Sequence, residues 1–414
     1  MNTEKYPDTA PRKRLYLDKN LLIAFCITLT AIMSVSIIAP AIPKIIRELD
    51  ISPQAVGLLI TAFTLPGVVL TPVLGVMADR YGRKKILVPS LMLFGIAGGL
   101  CAFIPDFELL IAMRFVQGMG AAALGSLNVT IIGDLFSGRE RTAAMGYNSS
   151  VLSVGTAVYP SIGGAVAVIG WNYPFLLAFL GIPVGLLVMF NLRNPEPKNS
   201  QRLSDYLKNL AVSLYNRRVI GLFISSGMTF VILYGVYITY LPIFLAERFG
   251  YSTLIIGMIM SSVSVTTVIT SSQLGNIVRI LPEKRILMCA FLIHGTAILL
   301  IPFSHSLPEL IMIAALMGVA HGTNIPTTIS LLSGLAPMEY RAAFMATNGM
   351  SLRFGQTAGP LIMGLMYALG GTKYVFLTGT GIALFMFFFM IIIFKQPAHG
   401  GKNGFSQTGR EFRK

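Results

Sequence analysis

The residues able to do chemistry in this chain are few, and most stand inside long apolar runs. Arg114, Arg353, His294 and His321 are all bracketed by aliphatic and aromatic residues. A guanidinium at bilayer depth costs at least ~2.5–3.5 kcal/mol on insertion scales, so each arginine is expected to face protein or a wet cavity. No acidic residue falls in the middle of an apolar run: Asp79, Asp134 and Glu247 each sit at the end of one. Asp134 and His321 are the groups that could take up and release a proton. A cavity offering arginine and histidine without a carboxylate would repel a cation and tolerate a neutral or weakly acidic molecule. Covalent catalysis finds no footing, because there is neither a His-Glu-x-x-His zinc helix nor a nucleophile elbow. A phosphate-cradling Gly-x-x-x-x-Gly-Lys-Ser/Thr run is also missing, which argues against ATP drive. Cys26, Cys101 and Cys289 lie in apolar runs and give no disulfide framework or metal spacing.

The elements that must position these groups follow from composition. Of 414 residues only 12% are charged, about half the ~25% usual for a soluble domain. With 54% hydrophobic residues and a mean hydropathy of +0.72, a soluble, disordered or fibrous chain is excluded. A helix crossing a ~30 Å hydrocarbon core needs ~20 apolar residues, and the runs are unbroken rather than alternating, against a β-barrel. Runs near 21–43, 55–78, 86–104, 109–133, 142–168 and 174–192 predict six spans. Six more follow near 219–246, 254–278, 286–303, 309–333, 344–369 and 374–394. The long polar connection from Arg193 to Arg218 divides them.

This predicts an amino-terminal tail (1–20), a six-helix bundle (21–192), a linker (193–218), a second six-helix bundle (219–395) and a carboxyl tail (396–414). No cleavable signal peptide is expected, since the first apolar run outlasts a signal core. With a cytoplasmic amino terminus, 26 Lys or Arg fall inside and 4 outside. Basic residues stay on the cytoplasmic side, so both termini are expected there. The net charge of +15 thus reads as topology and contact with anionic lipid, not as a nucleic-acid surface.

The chain also repeats itself at an offset of 200. Gly57 pairs with Gly257, Gly75 with Gly275, Gly118 with Gly318, Arg141 with Arg341 and Asn148 with Asn348. The series continues with Gly155 and Gly355, Pro160 and Pro360, and Gly164 and Gly364. One register held over more than 100 residues predicts two parallel halves related by an axis along the membrane normal, with a substrate site between them.

Three motifs carry a resemblance to a known family. The loop after the second span reads Gly75-Val-Met-Ala-Asp79-Arg80-Tyr-Gly82-Arg83-Lys84-Lys85. It resembles the signature loop of the major facilitator superfamily. The resemblance implies a latch of Gly75, Asp79, Gly82, Arg83 and Asp134 that holds the halves together while the protein faces outward. In the second half the equivalent loop has lost the aspartate, so the latch is expected on one side only. The fourth span carries Arg114-Phe-Val-Gln117-Gly118, which resembles the motif linked to proton transfer in drug:proton antiporters; it implies Arg114, Gln117, Gly118 and Asp134 as coupling residues. The fifth span, with Gly146, Gly155, Pro160, Gly163 and Gly164, is similar to the antiporter motif, except that Tyr159 replaces the glycine before Pro160. Such a bulky residue is expected to project off the packed face.

The resemblance spans about residues 20–395. It implies an all-α membrane protein of twelve helices in two pseudo-symmetric bundles. It also implies proton-coupled efflux of small amphipathic compounds from the cell by alternating access, with no enzymatic step and no cofactor beyond the proton gradient. A facilitator or importer of a metabolite or lipid with the same fold is the alternative. Arg353, His321, Tyr234, Tyr237, Asn148 and Asn348 are the expected cavity residues, although the tyrosines suit an outer aromatic belt equally. The expected partners are a small-molecule substrate, protons and membrane lipid, with the chain a monomer in the plasma membrane.

Overall fold

The computed structural model describes residues 15–193, 216–336 and 341–395. The expected tails and linker therefore lie largely outside the described residues. The first bundle is built from α1 (Lys19–Glu48), α2 (Gly57–Tyr81), α3 (Arg83–Phe103), α4 (Phe107–Leu135), α5 (Gly138–Ile169) and α6 (Tyr173–Asn191). The second begins with α7 (Arg217–Phe249), α8 (Thr253–Ser272), α9 (Glu283–Phe303) and α10 (Leu307–Leu335). A continuous helical stretch, Arg341–Phe394, completes it. Fifty-four residues at 1.5 Å each would be well over twice the ~30 Å thickness of a bilayer core. The stretch breaks at Gly370 and Gly371, where φ reaches +65° at Gly371, a conformation glycine adopts without steric cost. It is thus two crossings, α11 (341–369) and α12 (372–394).

Local chemistry sets the helix ends. Asp18 caps α1 by accepting from the Asn20 and Leu21 amides, Asp106 caps α4 through Leu109, and Ser252 caps α8 through Ile255. Two elements depart from expectation. The eighth span stops at Ser272, and Leu274–Ile280 forms a separate short helix, whereas its repeat mate α2 runs unbroken to Tyr81. In α7, residues Ile232–Tyr240 are π-helical. There the Thr239 hydroxyl donates to the Tyr234 carbonyl five residues back at 2.7 Å, ahead of Pro242, which has no amide hydrogen to give.

The halves meet along two matching seams, α2 with α11 and α5 with α8. The contacts are reciprocal under the 200-residue offset. A Cβ on Gly57 would stand 2.9 Å from the Pro360 carbonyl oxygen, and one on Gly257 would strike the Pro160 carbonyl oxygen. Inside the bundles the rule holds again: Gly118 lies on the Phe63 carbonyl, and Gly318 on the Val263 carbonyl. In lipid, helices gain little from hydrophobic burial against one another, so close backbone approach of this kind is a main source of cohesion.

Candidate functional site

Between the bundles lies a cavity of about 1060 Å³ walled by α1, α2, α4, α5, α7, α8, α10 and α11. One end is sealed. There the Thr253 hydroxyl donates to the Gly164 carbonyl at 2.8 Å, Thr61 to the Thr357 carbonyl at 3.1 Å, and Ser161 to the Ser261 hydroxyl at 2.7 Å. Tyr240 closes the same end, stacked on Tyr367 and donating its hydroxyl toward the Pro53 and Gln54 carbonyls at 3.4 Å. The other end is open. Gly75, Gly146, Gly275 and Gly349 each look onto at least 4 Å of free space. Gly75 and Asp79 border the mouth.

The wall is mostly apolar, with a short list of polar groups. Arg353 projects from α11 against Gly67 of α2, with its Nη1 3.3 Å from where a Cβ would stand. A larger side chain at Gly67 would push the guanidinium aside. No carboxylate pairs with Arg353 among the described residues. His321, Tyr234, Tyr237 and Gln356 also line the cavity. Tyr234 faces Arg353, and the Tyr237 hydroxyl donates to the Met260 carbonyl of α8. In the π-helical stretch, with more residues per turn, Tyr240 is carried off the cavity wall and into the seal. All three rings are enclosed by protein rather than placed in an interfacial belt.

Other expected cavity groups stand elsewhere. Arg114 is fully buried behind α2 in the sealed half. Its Nη1 donates to Ser34 Oγ and to Gln117 Oε1, both at 2.6 Å, and its Nε to the Leu59 carbonyl at 3.3 Å. The Phe63 ring lies 4.4 Å from the guanidinium carbon. Arg114 therefore contributes no charge to the cavity wall, and neither does His294, which is fully buried. Asn148 is taken up in packing as well: it accepts from the Thr28 hydroxyl at 2.6 Å, and that hydroxyl accepts from Asn128. Asn348 is buried off the cavity. An amide in an apolar helix reads the same whether it faces cargo or ties helices together, and here these two do not line the cavity.

At the open end Arg83 Nε lies 2.8 Å from Asp134 Oδ2, and Nη2 3.3 Å from Asp79 Oδ1. Gly82, with φ of +105°, makes the tight turn that aims Arg83 back. The trio ties α2, α3 and α4 within the first bundle, and no described residue of the second bundle joins it. In α5, Gly155 and Gly163 press on α1, while Gly164 and the Pro160 carbonyl meet α8; Gly146 has open space beside it. Tyr159 leaves the α8 face and lies half-buried beside Cys26 of α1. The helix therefore stays thin where it seals.

One pairing was invisible in the sequence. The rings of His294 and His321, 27 positions apart on α9 and α10, are in edge contact with centroids 4.4 Å apart.

The Major Facilitator Superfamily model matches residues 24–279 and 222–414. Multidrug resistance protein 1 of Bacillus subtilis (strain 168) is 25% identical over 390 residues, 92% of this chain and 98% of that protein. The class B tetracycline resistance protein of Escherichia coli is also 25% identical, over 85% of this chain and 89% of its own length. Among solved structures, a point mutant of the nucleoside transporter NupG superposes with a TM-score of 0.78 at 14% identity, covering 91% of this chain and 99% of that one. A bacterial homologue of the human lysosomal transporter Spinster, inward-facing and occupied, gives 0.76 at 15%, covering 93% and 97%. The chain belongs to the major facilitator superfamily, a family of membrane transporters.

Proposed function

We propose that this member of the superfamily is a secondary active transporter that exports small amphipathic compounds, neutral or anionic, in exchange for protons. The observation that supports the reading best is the cavity itself. It lies between two like-built bundles, is sealed at one end by reciprocal glycine-on-carbonyl contacts and is open at the other. Rocking about the shared axis would exchange those two ends. Apolar walls with a few placed polar groups suit an amphiphile. Arg353, unpaired with any described carboxylate, favours an oxygen-rich or anionic head over a cation. The curated relatives are resistance and efflux proteins along nearly their whole length, which supports export.

In this reading the open mouth, ringed by the basic loops, faces the cytoplasm; both termini lie there, and the chain works as a monomer in the plasma membrane. It moves solute without transforming it and needs no cofactor beyond the proton gradient. The test is cargo retention in cells expressing the chain, using a panel of neutral, anionic and cationic dyes with and without a protonophore. The reading expects neutral or anionic dyes to be kept out until the gradient is dissipated. Loss of uptake on dissipation, rather than accumulation, would instead establish the importer alternative.

A further inference from the structure

We propose that His294 and His321 form the proton-binding site of this transporter, one proton being shared by the two rings. The inference rests on the proton-coupled reading above and names the site that carries it.

Four observations on the structure converge. The rings touch edge to face at 4.4 Å between centroids, and both are more than nine-tenths buried. Among the described residues neither nitrogen of His321 has a protein hydrogen-bond partner, and the polar neighbours of the His294 ring are His321 and the Ala290 carbonyl a turn back. A buried imidazole without partners is costly to keep, so a structural role explains the pair poorly. His321 borders the cavity, which gives the pair access to the open mouth. Finally, the face of α10 that holds His321 continues through Asn324 and Thr328, both buried. Each has a polar atom without a protein partner, as does Ser225 of α7.

The electrostatic surroundings are sparse. Among the described residues His321 is the one titratable group that acts on His294, and no carboxylate, lysine or arginine acts on His321. Beside them, Thr267, Thr270 and Ser271 of α8 pack on Gly322, and Ala383 and Leu384 of α12 pack on Gly295, none of them titratable. Arg353 is the cation elsewhere on the cavity wall. Asp134, by contrast, is held against Arg83 at 2.8 Å and does not line the cavity.

The step is a simple acid–base exchange. A proton from the aqueous mouth adds to the free lone pair of one ring nitrogen, the second ring accepts a hydrogen bond from it, and the N–H bond breaks again when the proton returns to water. No electron moves. A neutral cargo that fills the cavity strips water from the wall, and a dry imidazolium is expensive. Cargo and proton therefore exclude one another, which is the condition for antiport.

The first bundle supplies the test variants. Phe94 and Ala121 occupy the positions that correspond to His294 and His321, and both fit a folded bundle there. In proteoliposomes with tritiated chloramphenicol as the neutral probe, ΔpH-driven uptake is compared with counterflow at equal pH. In His294→Phe and His321→Ala the ratio of driven uptake to counterflow is expected to fall at least tenfold; a ratio within twofold of wild type overturns the proposal. Wild-type protein that shows counterflow without a ΔpH response overturns the antiport reading as well. A cargo-free measurement covers a poor probe or a poorly folding variant. The chain has four histidines, so nitrogen-15 histidine spectra of the wild type in nanodiscs can be titrated. One proton shared between two rings supports the site. Two rings that stay neutral down to pH 5, or that titrate independently of one another, overturn it.

Discussion

Gly57→Ala and Gly257→Ala probe the seal at the point where the two halves lie closest. The alanine Cβ at residue 57 would stand 2.9 Å from the Pro360 carbonyl oxygen and 3.3 Å from both its carbonyl carbon and its Cβ. These are backbone and ring atoms of a packed helix, which cannot swing aside, so α2 and α11 must separate by several tenths of an ångström. Forcing one extra carbon into such a contact costs about 1–3 kcal/mol. That cost falls only on the conformation sealed at this end. In the opposite conformation the seam is apart and the methyl meets nothing, so the equilibrium shifts by roughly 5–150-fold. Gly257→Ala meets the Pro160 carbonyl in the mirror seam and must act in the same direction. Spin labels at Glu108→Cys and Glu309→Cys, exposed at the sealed end on α4 and α10, report the separation. Both variants are expected to enlarge the long-distance population. Gly75→Ala, at the free mouth, would not do so, because no atom lies within 4 Å of it here. Opposite responses of the two seams, or no response in either, would refute the reciprocal seal.

Further outcomes follow from the same geometry. Arg83→Ala leaves the Asp79 and Asp134 carboxylates facing each other without a counter-charge. Each carboxylate is about a third exposed, so a double-mutant cycle between Arg83 and Asp134 is expected to show coupling near 1 kcal/mol, and adding Asp134→Asn should recover part of the lost transport. Arg114→Met strands Ser34, Gln117 and the Leu59 carbonyl, and a loss of about 1–3 kcal/mol in stability is expected; Arg114→Lys should restore little of it, since an ammonium lacks the planar fork. Thermal melting in detergent reads both. Arg353→Ala removes a charge-assisted contact of about 1.5–3 kcal/mol to an anionic head. Export of fluorescein should fall at least tenfold, whereas robust ethidium export unaffected by the substitution would remove the neutral-or-anionic cargo assignment.

Much of the architecture was legible because lipid enforces it. Apolar runs of bilayer length must be helices, and the 200-residue register predicted two like halves, although which helices meet across them, with Gly57 on Pro360 and Gly257 on Pro160, is visible only in the packing. The site was less legible. Arg114 and Arg353 are both arginines in apolar runs, and only packing separates the one tied to Ser34 and Gln117 from the one standing in the cavity. Tyr234 and Tyr237 line the cavity, whereas Tyr240, three residues further along the π-helical stretch of α7, stands in the seal. His294 and His321 lie on different helices, so their contact depends on how α9 and α10 rotate, which no local pattern encodes. The division of the last two crossings was legible by contrast, since the runs at 344–369 and 374–394 end on either side of the turn at Gly370 and Gly371.

The most direct test is solute flux in proteoliposomes holding the purified full-length chain, with the lumen acidified relative to the bath. Accumulation of a neutral or anionic amphiphile against its own gradient, abolished when nigericin collapses ΔpH, is the outcome expected of a proton-driven exporter. Flux that merely equilibrates the solute, at one rate whether or not the lumen is acid, would contradict it.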